Sequence, residues 1–393
     1  MEMTSEKLWN RSFILCVLNN LFLFTYYFAL LAVLPIYILK DLAGSIEEAG
    51  LALTLFLVSS IAIRPFSGLI TQKLGKKLTM RGASSIFAVF ALSYLLIDSM
   101  WSLLLVRFLH GVWFSILTTV VVPVANDFIP DHRKGEGMGY FVMSTNLGVV
   151  FGPLLALTVI QFASFKVLFA VLSVLILIGL IFCWMLDIKD APKPISKPLS
   201  QLNIHNIIEV KVIPVGCVAL LTAFAYSSII SFITAYAESK NLMAYASLFF
   251  IVFAVSMLVV RPWVGKFYDR KGPSSVIYPA FISFAIGLVL VTLVSNQWTL
   301  WLSAIFIGIG YGSLFPCLQT VAIQTASKER MGHSISTFFT LFDLGLAIGS
   351  VVMGVLVHQW GYNSMYLFCA VMVIVTLFAY QHWVANRKTA ISV

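Results

Sequence analysis

Apolar residues along this chain come in long blocks and not in a two-residue alternation. Apolar runs fall at about 12–39, 49–70, 82–97, 100–125, 138–160, 165–186, 212–236, 244–264, 275–295, 299–323, 333–357 and 363–384. A helix needs about 20 apolar residues to cross the hydrocarbon core of a bilayer. Most of the runs reach that length, and the polar segments between them are short. The exception is 187–211, where mixed charges surround Pro192, Pro194 and Pro198. Such composition reads as a flexible linker. The pattern predicts an all-α membrane protein of twelve transmembrane helices in two six-helix bundles. The bundles are 1–186 and 212–393, with 187–211 as a cytoplasmic linker.

Composition sharpens this reading. The 393 residues are 60% hydrophobic and only 10% charged, against about a quarter charged in soluble domains. The lipid bilayer is therefore the expected solvent. The first apolar run is too long for the core of a cleavable signal and is expected to remain as the first span. Trp101, Trp298, Trp301 and Trp360 fall at the ends of runs, where indole rings anchor to the membrane interface. The net charge of +9 raises the question of nucleic acid, but its distribution answers it. Lys73, Lys76, Lys77, Arg81, Arg133, Lys134, Lys189, Lys266, Arg270, Lys271, Lys328 and Arg330 all belong to one set of alternating loops, and Arg64 and Arg261 count with them. That bias predicts both termini in the cytoplasm of a multi-pass protein of the plasma or bacterial inner membrane, with no nucleic-acid partner.

The two halves repeat each other. Arg64-Pro65-x-x-Gly68 and Arg261-Pro262-x-x-Gly265 stand 197 apart (261 − 64). The same offset pairs Gln72 with Asp269, Gly75 with Gly272, Gly111 with Gly308, Gly148 with Gly345 and Gly152 with Gly349. A constant offset across separated segments implies duplication of a six-span unit. That is a layout used by transporters that rock one bundle against the other around a midplane site.

The segment Gly68-Leu-Ile-Thr-Gln72-Lys73-Leu-Gly75-Lys76-Lys77 is similar to the signature loop after span 2 of the major facilitator superfamily. Gly68 allows close helix packing and Gly75 a tight turn. The second copy, Gly265, Asp269, Arg270 and Gly272, retains the acid that the family pattern has and that Gln72 replaces. Arg107-Phe-Leu-His110-Gly111 resembles the span-4 motif of the family, with His110 in the place of Gln. Gly139, Gly148, Gly152 and Pro153 resemble the span-5 antiporter motif, although Ala156 and Leu157 stand where two further glycines are usual. Glycines at four-residue spacing let helices approach, so span 5 is expected to be a sliding contact between the halves. The resemblance covers nearly the whole chain. It points to the drug:proton antiporter branch and also to metallophore exporters of the superfamily.

That resemblance implies protons and a small-molecule substrate as partners. Asp343 is the acid that falls in mid-membrane, on a helical stripe with Ser336, Thr340, Ala347, Ser350 and Gly354. An ionisable residue there is a functional candidate by default. Asp343, Arg107 and His110 are therefore the expected proton-coupling residues. Span 1 carries Asn19 and Asn20 where many drug exporters have an acid. Asn19, Tyr26, Asn146, Tyr226, Tyr311 and Gln319 are candidates for the substrate cavity. Asn146 is the repeat mate of Asp343 (343 − 146 = 197).

The five cysteines lie singly in apolar runs, and His132, His333, His358 and His382 lie near interfaces and read as surface residues. Neither set has metal-ligand spacing, so no metal and no cofactor is expected. No phosphate-cradling loop or nucleophile–base set stands out, so the chain is not expected to be an enzyme. The reading is a proton-coupled exporter of small organic molecules, working as a monomer because the two halves already make one transport unit. A dedicated exporter of a metabolite or metallophore is the alternative. An uptake symporter comes next, and a membrane sensor or enzyme on a transporter fold comes last. Reporter fusions test the topology. A fluorescent protein fused after Val393 should be bright, and alkaline phosphatase there inactive; the reverse would overturn the orientation.

Overall fold

The computed structural model describes residues 7–189 and 208–386. Most of the expected linker, 190–207, lies outside the described residues, as does His205. Every regular element among the described residues is helical: α1 (Arg11–Lys40), α2 (Ile46–Leu74), α3 (Lys76–Ser93), α4 (Met100–Asp127), α5 (Lys134–Phe162), α6 (Phe165–Met185), α7 (Ile213–Ser239), α8 (Met243–Lys271), α9 (Ser274–Thr292), α10 (Gln297–Thr325) and α11 (Met331–Tyr380), with short tight turns at some ends. Among the described residues, eleven helices are long and apolar enough to cross a membrane. The two last apolar runs both fall in α11, on either side of Gly361, whose φ of 76° and ψ of 171° break the helical path.

The sequence explains where helices start. The Asn10 side chain accepts the Phe13 amide at 2.9 Å ahead of α1. Ser45 with Glu48, Ser99 with Ser102 and Asn296 with Thr299 close capping boxes at α2, α4 and α10. Each satisfies amides that a first turn leaves without partners. At the other end, α2 and α8 run past their apolar stretches. The expected loops 71–81 and 265–274 are mostly helical and narrow to turns around Gly75 (φ 86°) and Gly272 (φ 82°). Both have a left-handed backbone that glycine adopts without strain. A polar helical turn can leave the membrane intact because water and side chains serve its carbonyls, so hydropathy understates its length.

The chain forms two compact units. Unit 1 comprises Met1–Pro130, Tyr140–Ile208 and Lys328–Ser336; unit 2 comprises Asp131–Gly139, Glu209–Ser327 and Thr337–Val393. The opening turns of α11 thus belong to unit 1, and those of α5 to unit 2. Within unit 1, α4 packs against α2, α3 and α1, and α6 against α1 and α3. Within unit 2, α10 packs against α9, α8 and α7. Glycines set the closest approaches. A Cβ on Gly111 would overlap the Phe56 carbonyl of α2, and one on Gly308 would lie 2.6 Å from the Phe253 carbonyl of α8.

The structure bears on three expectations. Gly148 and Gly152 pack inside unit 1: a Cβ on either would lie 2.7 Å from α1 atoms, at Phe24 and at Thr25 and Ala29. Close packing within a bundle needs the same small residues as a sliding face, so spacing alone could not separate the two. Arg64 and Arg261, counted with the basic loops, are buried in α2 and α8, 5% and 2% exposed. His333 is not a surface residue but is fully buried.

Two glycines in this packing predict opposite effects. Gly111→Ala drives a Cβ into the backbone of α2 and should destabilise the purified protein by about 1–3 kcal/mol. Gly82→Ala, with nothing within 4 Å of its new methyl, should be neutral or stabilising by up to about 1 kcal/mol. Thermal unfolding in detergent micelles checks both.

Candidate functional site

Unit 1 encloses a buried polar cluster on α4. Arg107 and His110 are three residues apart and share a face of the helix. Arg107 is 2% exposed. Its Nε donates to the Ala52 carbonyl of α2 at 3.2 Å, and its Nη1 donates to the Tyr94 hydroxyl at 3.5 Å. The guanidinium carbon lies 4.2 Å from the centre of the Phe56 ring. These contacts offset the loss of hydration, which for a mid-membrane Arg is at least about 2.5 kcal/mol. Each of these partners belongs to unit 1.

His110 is fully buried in a cage of rings. Ring centres lie 4.1 Å away for Phe87, 5.5 Å for Tyr26, 5.8 Å for Tyr94 and 6.1 Å for Phe56. Neither imidazole nitrogen nor the Tyr26 hydroxyl has a hydrogen-bond partner among the described residues. An imidazole held dry beside a fixed positive charge is costly to leave unsatisfied. The fold thus brings together Arg107, His110 and Tyr26, which the sequence singled out, and adds Tyr94 and Phe56. The missed pair is an aromatic wall, and aromatic content in an apolar run is not distinctive in sequence.

Unit 2 brings together a different group. Tyr226 of α7 and Tyr311 of α10 stack with ring centres 3.4 Å apart and planes 11° apart. Phe253 extends the stack beside Tyr226, and Phe284 and Phe315 flank Tyr311. Asp343 of α11 is half-buried and lies within electrostatic reach of Tyr311. On the Asp343 stripe, Ser350 shares a 3.2 Å hydrogen bond with Ser231 of α7. A flat aromatic surface beside a carboxyl group is suited to an organic molecule with a polar or cationic end.

The remaining candidates stand apart from these groups. Asn19 is buried on α1 with its Nδ2 unpartnered among the described residues, and the neighbouring Asn20 donates to Ser144 and Thr145 of α5 at 2.8 and 3.0 Å. Asn146 is half-buried, and Gln319 is buried on α10 with its Oε1 unpartnered among the described residues.

The two copies of the loop motif make different contacts. In unit 1, Gly68 packs on the start of α11, where a Cβ would lie 2.7 Å from the Cα of His333. One turn on, His333 Nε2 donates to the Gln72 side-chain oxygen at 2.7 Å. In unit 2, Gly265 packs on the start of α5, where a Cβ would lie 2.5 Å from the Cα of Glu136. Asp269 then accepts the amides of Gly135 and Glu136 at 2.7 and 3.0 Å. A carboxylate at a helix N-terminus meets both orphan amides and the positive end of the helix dipole. Glu136 is held in turn by Arg133 at 2.7 Å. Lys73 is half-buried and Arg270 exposed at the ends of their helices. Gly139 packs against Arg261, and Pro153 lies inside α5.

Helices of membrane-spanning length throughout the described residues, with buried charges and aromatic walls, are the architecture of a polytopic membrane protein. Comparison with known proteins identifies the class. The family model of the Major Facilitator Superfamily matches residues 16–347 and 272–392, and the chain belongs to that superfamily. It is 26% identical over 351 residues to the multidrug resistance protein MdtG of Citrobacter koseri, covering 85% of this chain and 83% of the relative. It is 25% identical over 330 residues to MdtG of Enterobacter lignolyticus, covering 81% and 78%. Its fold is similar to that of the human organic anion transporter MFSD10, with a TM-score of 0.80, 14% identity and coverage of 94% and 98%. The superfamily transporter FucP in its outward conformation gives a TM-score of 0.76 at 15% identity, covering 94% and 98%. Family and fold are those of transporters, which move small molecules across a membrane and are not enzymes.

The Asp269 contact generates a prediction. Asp269→Asn keeps one oxygen acceptor but removes the charge and the second acceptor. It should destabilise the protein by about 1–3 kcal/mol, read as a lower thermal midpoint in nanodiscs, while Arg270→Gln at the exposed neighbour should change it little.

Proposed function

We propose that this protein is a proton-coupled exporter of small organic molecules that works by alternating access. The observation that carries the reading is its similarity over more than four fifths of the chain to multidrug resistance proteins. Twelve spans serve this reading, the last two being the parts of α11 on either side of Gly361, in two six-helix bundles of 1–186 and 212–393 joined by a cytoplasmic linker. Both termini are cytoplasmic and the monomer is the working unit. Substrate lies against the Tyr226–Tyr311 stack, where flat rings can receive lipophilic molecules of varied shape. Asp343, half-buried beside Tyr311, carries the proton: protonation removes its charge and weakens its hold on a cationic substrate. Arg107 and His110 tune the electrostatics of unit 1. The glycine-bearing loop motifs, with Asp269 on the start of α5, steady one state of the cycle.

A second reading, a dedicated exporter of an acidic or zwitterionic metabolite, is favoured by the cationic side chains Arg107 and Arg261 buried in the helices.

Proton flux in inside-out vesicles with an acidic interior separates the two. Several unrelated lipophilic cations should each release protons from wild-type vesicles, and Asp343→Asn should lower that release at least tenfold. Flux unchanged in Asp343→Asn removes the coupling role. A response confined to acidic metabolites selects the dedicated exporter.

A further inference from the structure

Arg64 and Arg261 occupy the same place in the repeat but have opposite surroundings. Arg64 donates from Nη1 to the Thr118 hydroxyl at 3.3 Å and from Nη2 to the Ser60 hydroxyl at 3.5 Å. Its own carbonyl accepts the Ser336 hydroxyl. The residues at the 197-residue offset from Ser60 and Thr118 are Met257 and Phe315, and the one matching Ser336 is Gly139 (336 − 197). All three hydroxyls are absent from the second copy, while the arginine is present in both.

Arg261 is 2% exposed. Its Nε, Nη1 and Nη2 have no hydrogen-bond partner among the described residues. Glu136, on the first turn of α5 below Gly139, is engaged by Arg133. Cys317 of α10, the titratable group acting on the guanidinium, is a free thiol. A guanidinium cannot shed its charge as an amine or carboxylic acid can. Five N–H donors buried without an acceptor are among the most expensive arrangements a protein can hold. Gly139 packs close against the side chain: a Cβ there would lie 3.0 Å from the Arg261 Cδ and 4.0 Å from Nε. Phe315, the repeat mate of Thr118, joins Tyr311 and Phe342 in the aromatic wall of unit 2.

We infer that Arg261 is an anion-receiving residue: its guanidinium takes the carboxylate of a transported organic molecule whose apolar body lies on the aromatic wall of unit 2. A planar guanidinium matches a carboxylate with two parallel hydrogen bonds. The inference rests on the transport reading and deepens it: among the organic substrates, those that also bear a carboxylate bind more tightly.

The test uses the full-length protein in nanodiscs with two dyes that differ in one group, rhodamine B and its ethyl ester. Wild type should bind the acid at least about tenfold tighter than the ester, the scale of a charge-assisted pair. In Arg261→Gln that ratio should fall toward one, and Arg261→Lys should restore part of it. Circular dichroism and thermal unfolding establish that each variant is folded. A wild-type ratio of one overturns the proposal, as does a ratio unchanged in folded Arg261→Gln. Inorganic phosphate competing in an Arg261-dependent way, without a preference for the acid dye, also overturns it in favour of a free-ion site. Efflux of the ester from energised cells is measured in parallel. Its absence, with an Arg261-dependent preference for the acid intact, strikes the multidrug transport reading and leaves the anion site standing.

Discussion

In hydrocarbon, a backbone N–H or C=O without a partner has no water to turn to, at several kcal/mol for each group. That constraint organises this molecule. It makes every regular element among the described residues a helix. With the backbone satisfied internally, helices can approach only where side chains allow. Gly111 on α2, Gly148 and Gly152 on α1, and Gly308 on α8 bring backbone against backbone. The same constraint governs side chains. Arg107 is tolerated because a carbonyl, a hydroxyl and a ring face meet it.

A duplicated sequence need not do the same chemistry twice. Asp269 grips the first amides of α5 with a carboxylate, whereas Gln72 meets α11 through the imidazole of His333. The first contact uses the charge of a carboxylate at a helix end and the second a side-chain hydrogen bond, so the two respond differently to salt. Asp343 has Asn146 as its counterpart, and Arg64 keeps hydroxyl partners that Arg261 lacks. Packing is shared between the copies, and the charged side chains are not: Arg107 stands in the first and Asp343 in the second.

Much of this architecture was legible in the residues. Long apolar blocks marked the helices to within a few residues, because burial in lipid leaves a one-dimensional trace. The glycines of the loop motifs were legible too, since a left-handed turn and a close approach demand that residue. Arg107 and His110 announced themselves by their cost. Arg261 carried the same signal but stood within a turn or two of the basic loop, and charge counting absorbed it. The glycines of α5 were legible as a close contact but not as to which helix they touch.

By itself, then, the sequence determined the helical class, the membrane as solvent, the repeat and the superfamily resemblance, because each leaves a local pattern of hydropathy, charge or spacing. Tertiary structure alone decided which polar groups are satisfied. Whether an arginine meets a hydroxyl, a ring or no acceptor depends on residues far away in sequence, and so does the face a glycine presents. That decision turned Arg64 and Arg261, identical in their motif, into one side chain held by two hydroxyls and one whose Nε, Nη1 and Nη2 all lack a hydrogen-bond partner among the described residues.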